Sequence, residues 1–175
     1  MRYLFILNPA AGKQDCTVQL IPQLQQAAVR AGIPVDAVAT CKTEYAGHAS
    51  ELTRQAIEEG AEYILAVGGD GTVNEIARAM IHSNAILGII PKGSGNGLAR
   101  ELHIPMDVKR AIDLIAKGHV TTIDCCRANG QVFFCTCGVG FDAFVSLKFA
   151  HAGKRGLLTY LEKTLQESLK YQPET

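Results

Sequence analysis

Three glycine-rich segments carry most of the residues that could perform chemistry. They are residues 8–13 (NPAAGK), 68–72 (GGDGT) and 91–97 (PKGSGNG). Because glycine has no Cβ atom, backbone N–H groups in such segments can approach an anion closely. Lys13 and Lys92 add separate positive charges. These residue types predict a phosphate-binding site.

Predicted strands lie immediately before each of the three segments. Unbroken apolar runs predict strands at 3–7, 35–40, 63–67 and 85–90. Helical spacing of apolar residues predicts helices at 17–31, 46–59, 72–81, 98–102 and 107–117. Alternating strands and helices of this length are typical of a parallel sheet with helices on both faces. The three segments would then meet at one carboxyl edge, where open α/β sheets bind ligands.

The second segment also has local structural signals. Thr72 and Glu75 fit a capping box, so we expect Thr72 to be the N-cap of the helix at 72–81. Asp70 lies between two glycines, with no side-chain partner expected nearby, which suits a carboxylate close to Mg²⁺. Any one of the segments could be only a tight turn, but three that converge favour a ligand site.

Composition excludes other classes of protein. The 175 residues include 17 basic and 17 acidic side chains, so the formal net charge is zero. That balance argues against a nucleic-acid partner held by bulk electrostatics. The apolar run at 1–7 is too short for a signal peptide, and no stretch approaches the roughly 18 apolar residues of a membrane helix. We therefore expect a cytoplasmic protein whose six cysteines are free thiols.

The pattern changes after Gly118. Predicted strands at 120–128 and 131–137 flank Asn129 and Gly130, a pair typical of a type I′ hairpin. A leucine-rich helical pattern follows at 157–169. One hairpin and one helix cannot bury an independent core. We therefore expect an α/β nucleotide-binding domain at 1–124 and an incomplete β-rich second domain at 125–175, with the leucine face open to a homodimer.

Two common nucleotide signatures are missing. The sequence contains no GxxxxGK[ST] pattern, and no GxGxxG follows the first strand. Walker-type ATPases and Rossmann dehydrogenases are therefore disfavoured.

The glycine-rich segments resemble the diacylglycerol kinase catalytic domain family, which includes bacterial lipid kinases and sphingosine and ceramide kinases. The matching pieces are residues 8–12, 68–72 with Asn74 and Glu75, and 91–96 with the pair at 99–100. Their order and spacing agree over about residues 3–145. The resemblance implies a parallel-sheet domain like that of NAD kinases, followed by a β-sandwich domain.

The resemblance also implies an activity and a set of contacts. The activity is transfer of the γ-phosphoryl of ATP to the hydroxyl of a diacylglycerol-like lipid at the membrane surface, with a peripheral location there. The implied Mg²⁺ network includes Asp70 and Asp124. The implied nucleotide contacts are Asn8, Thr40, Gly68, Gly69, Asp70, Gly71, Thr72, Lys92, Gly93, Ser94, Gly95 and Asn96.

The chain departs from the family pattern in two places. Gly97 stands where the family often has an acidic residue. The family's general base comes from the second domain, so we expect it beyond Thr175 and expect no catalytic residue within this chain. On this reading the chain is an N-terminal fragment of a longer kinase that binds ATP or ADP weakly and turns over little. The alternatives are a soluble-substrate kinase of the NAD kinase type and a non-catalytic nucleotide-binding module.

Overall fold

A computed structural model of the chain describes residues 2–12, 17–93, 95–138, 140–141, 143–145 and 164. The helices and strands, in chain order, are β1 (Tyr3–Leu7), α1 (Thr17–Arg30), a 3-10 turn (Val35–Ala37), β2 (Val38–Lys42), α2 (His48–Glu58), β3 (Tyr63–Gly68), α3 (Asp70–Met80), β4 (Ile86–Pro91), α4 (Gly97–Glu101), α5 (Val108–Ala116), β5 (Cys126–Ala128) and β6 (Gln131–Phe133). Strands β1 to β4 form one parallel sheet in the order β2-β1-β3-β4. The predicted α/β fold is confirmed.

Each face of the sheet carries its own apolar core. Leu4 and Ile6 of β1 pack with residues of α2, α3 and α4 on one face. Phe5 and Leu7 of the same strand pack with α1 and α5 on the other face. Successive side chains of a strand point to opposite faces, so β1 is buried on both sides. This explains why its sequence is an unbroken apolar run.

The strand order creates a switch point between β1 and β3. The chain leaves β1 toward β2 on one side of the sheet and leaves β3 toward β4 on the other side. The two connections therefore diverge above neighbouring strands. Open α/β sheets bind ligands at the carboxyl ends of strands at such a point.

Several predicted boundaries are wrong by two or more residues, including the start of the helix predicted at 46–59, which begins at His48. The strand predicted at 35–40 begins only at Val38, because the N–H of Ala37 donates to the carbonyl of Pro34 at 3.0 Å and closes a 3-10 turn. The helix predicted at 72–81 begins at Asp70, with Gly69 as its N-cap. Thr72 is therefore not the cap, since it lies inside the first turn.

The predicted hairpin is present but shorter than expected. Strands β5 and β6 pair antiparallel over only three residues each, and every residue of β5 is exposed, so little apolar burial extends the ladder. Asn129 and Gly130 have φ values of 48° and 80°, the positive values that a type I′ turn requires. The Nε atom of Arg78 donates to the carbonyl of Val132 at 2.7 Å and ties the hairpin to α3.

The chain divides into two compact units, one ending at Phe134 and the other beginning at Cys135. In the second unit, the N–H of Phe144 donates to the carbonyl of Gly140 at 3.0 Å. Apart from residue 164, the leucine-rich pattern at 157–169, and with it the homodimer prediction, lies outside the described residues. The domain boundary at residue 124 stays a prediction.

Two predictions from composition concern the described residues. The described cysteines, namely Cys41, Cys125, Cys126, Cys135 and Cys137, are free, as expected. Cys16 lies outside the described residues. None of the described helices is long and apolar enough to cross a bilayer.

Gly88 in β4 lies where neighbouring side chains leave no room for a Cβ atom. A Cβ atom at Gly88 would overlap Cδ2 of Leu65 and lie 3.1 Å from Cδ1 of Ile115 in α5. We predict that Gly88→Ala lowers the free energy of unfolding by about 1–3 kcal/mol, the usual effect of overpacking a core. Urea denaturation followed by circular dichroism measures this change.

Gly71→Ala is the matched control. Gly71 lies in α3, and a Cβ atom there meets nothing within 4 Å. Alanine in a helix is favoured over glycine by roughly 0.5–1 kcal/mol, so this variant should be neutral or slightly more stable. Equal losses in the free energy of unfolding for Gly88→Ala and Gly71→Ala would contradict the explanation by overpacking.

Candidate nucleotide site

The three glycine-rich segments meet at the carboxyl edge of the sheet. Strands β1, β3 and β4 are parallel and end at Leu7, Gly68 and Pro91, and each segment begins at or just beyond that end. The segment at 8–12 and the segment at 68–72 therefore flank the switch point between β1 and β3. The expected convergence of the three segments is present.

Asn8 bridges the switch point through two hydrogen bonds and shapes its own turn through a third. Its backbone N–H donates to the carbonyl of Val67 at 3.0 Å, and its Nδ2 donates to Oγ1 of Thr72 at 2.9 Å. Its Oδ1 accepts from the N–H of Ala10 at 2.9 Å and shapes the turn after β1. Thr72 is only 4% exposed, and its hydroxyl joins the first and second segments through the bond with Asn8. The capping role predicted for Thr72 is replaced by this bridge.

The carbonyl of Gly68 fastens the third segment to the second. It accepts hydrogen bonds from the N–H of Lys92 at 2.8 Å, the N–H of Gly93 at 3.3 Å and Nδ2 of Asn96 at 3.0 Å. Asn96 is 1% exposed and adopts a left-handed backbone conformation with φ of 51°. Asparagine tolerates that conformation better than most residues and also supplies the donor, which accounts for its place here.

Asp70 makes the second connection between the same two segments. Its Oδ2 accepts from the N–H of Asn96 at 2.8 Å and its Oδ1 accepts from the N–H of Gly97 at 2.7 Å. The sequence predicted no side-chain partner nearby, and the bonds that Asp70 makes are to backbone groups far along the chain. The partners are backbone amides 26 and 27 residues further along the chain, which no local pattern indicates.

The glycines of the third segment permit close backbone contact. A Cβ atom at Gly93 would lie 2.6 Å from Cα of Gly69, and one at Gly95 would lie 3.0 Å from Oδ2 of Asp70. A contact under 3.0 Å requires something to shift, and here the neighbour at Gly93 is backbone. The spacing of these glycines therefore follows from packing between loops as much as from any ligand.

Free amide donors lie at the start of α3. The N–H of Val73 donates to the carbonyl of Gly69 at 3.1 Å, which is the first hydrogen bond of the helix. The N–H groups of Asp70, Gly71 and Thr72 precede that bond and have no intrahelical acceptor. Together with the helix dipole they form a binding site for an anionic oxygen.

A small cleft lies at the carboxyl ends of β1 and β3, on the α1 side of the sheet. It is lined by Leu7, Asn8, Pro9, Ala11, Leu20, Val67 and Lys92. Lys92 is the one cation among these lining residues, and the remaining walls are largely apolar. Lys92 therefore borders apolar surface at the ends of β1 and β3.

Other residues implied by the resemblance lie elsewhere. Thr40 is in the middle of β2, opposite Phe5, and its Oγ1 is buried without a hydrogen-bond partner among the described residues. Thr43 follows the last residue of β2 at the carboxyl edge of the sheet. Its N–H donates to the carbonyl of Leu7 at 2.8 Å. Because β1 and β2 pair in parallel register, Thr40 lies within the sheet and Thr43 lies beyond its carboxyl edge. Lys13 and Ser94 lie outside the described residues.

The carboxylates among the described residues do not form a site for a divalent cation. Asp124 is exposed, and the described residues contain no group of three or more His, Cys, Asp or Glu side chains that could hold a metal ion. Both oxygens of Asp70 already accept backbone hydrogen bonds. The described residues therefore do not fit a cation held by the protein alone.

The turn after β2 adds an aromatic pair that sequence reasoning missed. The rings of Tyr45 and His48 stack with centroids 4.5 Å apart, and the Tyr45 hydroxyl donates to Oε2 of Glu51 at 2.6 Å. This hydrogen bond raises the pKa of Tyr45. The pair lies before and at the start of α2, the helix that follows the carboxyl end of β2.

Comparisons with known proteins agree on one family. The profile of the diacylglycerol kinase catalytic domain matches residues 2–128. A diacylglycerol kinase of Staphylococcus carnosus is 33% identical over 134 residues, which is 75% of this chain and 42% of the relative. One from Staphylococcus saprophyticus is 34% identical over the same length, covering 43% of that relative. The chain therefore spans less than half the length of these curated relatives.

A solved structure gives the same result. The crystal structure of a diacylglycerol kinase from Bacillus anthracis superposes with a TM-score of 0.65 and 30% sequence identity. The superposition covers 75% of this chain and 49% of the other.

The Asn8–Thr72 hydrogen bond can be tested by removing one hydroxyl. Thr72→Val keeps the shape of the side chain but leaves Nδ2 of Asn8 without its acceptor. We predict a loss of about 1–2 kcal/mol in the free energy of unfolding, because a part-buried donor is left unsatisfied. Chemical denaturation of the ligand-free protein measures it.

Thr53→Val serves as the control. Thr53 is equally buried, but its hydroxyl donates to the carbonyl of Ala49 within its own helix, so its removal should change stability little. The double variant Thr72→Val/Asn8→Ala should lose less free energy of unfolding than the two single variants lose together, because the two residues share one interaction. Strict additivity would show that the bridge does not contribute.

Proposed function

The chain belongs to the diacylglycerol kinase catalytic domain family, and on that premise we propose that it carries the nucleotide-binding part of an ATP-dependent lipid kinase. A single observation carries the proposal. The α3 amides that have no intrahelical acceptor lie next to the segment at 91–97, beside the switch point between β1 and β3. This arrangement offers several backbone donors to one polyphosphate. The names of the relatives support diacylglycerol, or a lipid similar to it, as the acceptor.

We infer that the phosphates of ATP bind between α3 and the third segment. The amides of Gly71 and Thr72 would donate to phosphate oxygens, and Lys92 would balance their negative charge. Neutrality of the whole chain does not oppose this, because the positive groups are local. The divalent cation would arrive as part of the substrate, held by the phosphates and water, as is common for Mg²⁺.

The role of these groups in the reaction is positioning and charge stabilisation. The acceptor hydroxyl oxygen attacks the γ-phosphorus in line, the bond to the β–γ bridging oxygen breaks, and ADP leaves. Donors fixed before the reaction stabilise the charge that spreads over the γ-phosphoryl oxygens. The base that takes the acceptor proton stays a prediction, which rests on the family resemblance alone.

Where the protein meets its lipid is part of the same proposal. A diacylglycerol acceptor lies in a membrane, so the kinase would work from the cytoplasm at the membrane surface. Acceptor identity is what separates this proposal from a soluble-substrate kinase of the NAD kinase type. The backbone partners of Asp70 keep a non-catalytic nucleotide-binding module as the second candidate, since they leave this carboxylate without an evident chemical task.

Nucleotide binding should depend on Lys92. We predict that Lys92→Gln weakens ADP binding by about tenfold, the loss expected for one charge-assisted contact to phosphate. Isothermal titration calorimetry at millimolar ligand, the range in which we expect weak binding, measures the change. Lys117→Gln removes the same charge at the exposed C-cap of α5 and should leave ADP affinity unchanged. No ADP binding by the unmodified protein would overturn the nucleotide proposal.

The acceptor can be identified by comparing two substrates. We predict that the full-length protein transfers radioactive phosphate from ATP to diacylglycerol in mixed micelles at least about tenfold faster than to NAD. Triacylglycerol, which has no free hydroxyl, is the control acceptor and should receive none. Faster transfer to NAD would favour the soluble-substrate kinase. Nucleotide binding without transfer to either acceptor would favour the non-catalytic module.

A further inference from the structure

We propose that Asp70 is a positioning residue that fixes the third glycine segment over the start of α3, and that it is not a ligand of the divalent cation. The consequence for nucleotide binding rests on the proposed function, whereas the structural role does not. The proposal concerns the carboxylate in the middle of the GGDGT sequence, where the family resemblance implies a part in the Mg²⁺ network.

The geometry of the carboxylate carries the proposal. Each oxygen accepts one backbone amide, from Asn96 at 2.8 Å and from Gly97 at 2.7 Å. Bonds from N–H groups to a carboxylate are about twice as strong as bonds between neutral groups. Asp70 itself is the first residue of α3, so its side chain joins the start of α3 directly to the start of α4.

The packing around the carboxylate supports the same role. A Cβ atom at Gly95 would lie only 3.0 Å from Oδ2, so the third segment closes over the carboxylate without a side chain between them. The side chain of Arg100 donates from Nε to the carbonyl of Gly95 at 2.8 Å and holds the segment from its other side. Asn96, which receives one of the carboxylate bonds, is almost fully buried.

A cation at Asp70 would compete with this arrangement. If the carboxylate turned toward a metal ion, the amides of Asn96 and Gly97 would lose their acceptor. The amide of Asn96 lies in a buried residue, where an unsatisfied donor is unfavourable. The described residues also offer no cluster of further ligands that would compensate.

The role has a consequence for ligand binding. Under the proposed function the segment at 91–97 contributes the side chain of Lys92 to the phosphate site. Two anchors hold the segment in place, the Gly68 carbonyl and the Asp70 carboxylate. Loss of the second anchor should weaken nucleotide binding by loosening this segment. That loss should be independent of the cation, because no cation is bound through Asp70.

The structural role is tested without any ligand. Asp70→Asn keeps the size of the side chain but replaces one acceptor oxygen with an NH₂ group, which cannot accept from an amide. Hydrogen–deuterium exchange of the ligand-free protein should show the peptide spanning residues 95–99 exchanging roughly tenfold faster in this variant. Glu58→Gln makes the same change of charge on the exposed surface of α2 and should leave that peptide unchanged. Unchanged exchange in Asp70→Asn would overturn the proposal.

The second measurement separates positioning from metal binding. The affinity of a fluorescent ADP analogue is measured in excess EDTA and in excess Mg²⁺, for the unmodified protein and both variants. We expect Asp70→Asn to weaken binding by a similar factor, about tenfold, in both buffers. A loss confined to the Mg²⁺ buffer would identify Asp70 as a cation ligand and overturn the proposal.

The hydrogen-exchange experiment and the binding experiment can contradict different claims. If the unmodified protein binds no nucleotide in either buffer, the proposed function fails, and hydrogen exchange alone decides whether Asp70 anchors the segment. Thermal unfolding of the three proteins shows whether the Asp70 variant remains folded. If it does not, Asp70→Ser, which retains a short side chain with a hydroxyl acceptor, replaces it in the exchange experiment with the same expected increase.

Discussion

The structure of the site depends on the attachment of one loop to another by five hydrogen bonds. The carbonyl of Gly68 accepts three of them and the carboxylate of Asp70 accepts two. All five donors come from residues 92–97. A glycine-rich loop has high conformational entropy when free, so it adopts a single shape only if something else fixes it. Here the fixing groups belong to the neighbouring loop, so neither loop has its observed shape alone.

The parallel sheet makes this attachment geometrically available. Its register places Gly68 opposite Pro91, which brings the last residues of β3 and β4 level at the carboxyl edge. The same edge holds Asn8, whose side chain reaches Thr72 across the switch point. Apolar burial on both faces of β1 and β3 fixes these strands, and the polar bonds at their ends then select one arrangement of the loops. Burial supplies the stability and hydrogen bonding supplies the specificity of shape.

The sequence predicted the fold and the convergence of the three loops because both follow from periodic patterns. Unbroken apolar runs, helical spacing and the rule for parallel strands are local signals that remain valid in the folded chain. The site was predicted less completely. Thr72 was expected to cap a helix, yet its hydroxyl accepts from Asn8, which is 64 residues away. Asp70 was expected to lack a side-chain partner nearby, and its actual partners are backbone amides that only tertiary folding brings near. Bonds between residues so far apart leave no mark in a local pattern.

The link between Gly68 and Lys92 also bears on how the protein folds. The N–H of Lys92 continues the ladder between β3 and β4 by bonding to the carbonyl of Gly68. The third loop therefore acquires its shape only when β4 docks, and docking requires closure of the chain around α3. An intermediate with β1, β2 and β3 paired but β4 undocked would have most of a sheet and no assembled loop pair. Under the proposed function, the nucleotide site is therefore assembled only when the fourth strand docks.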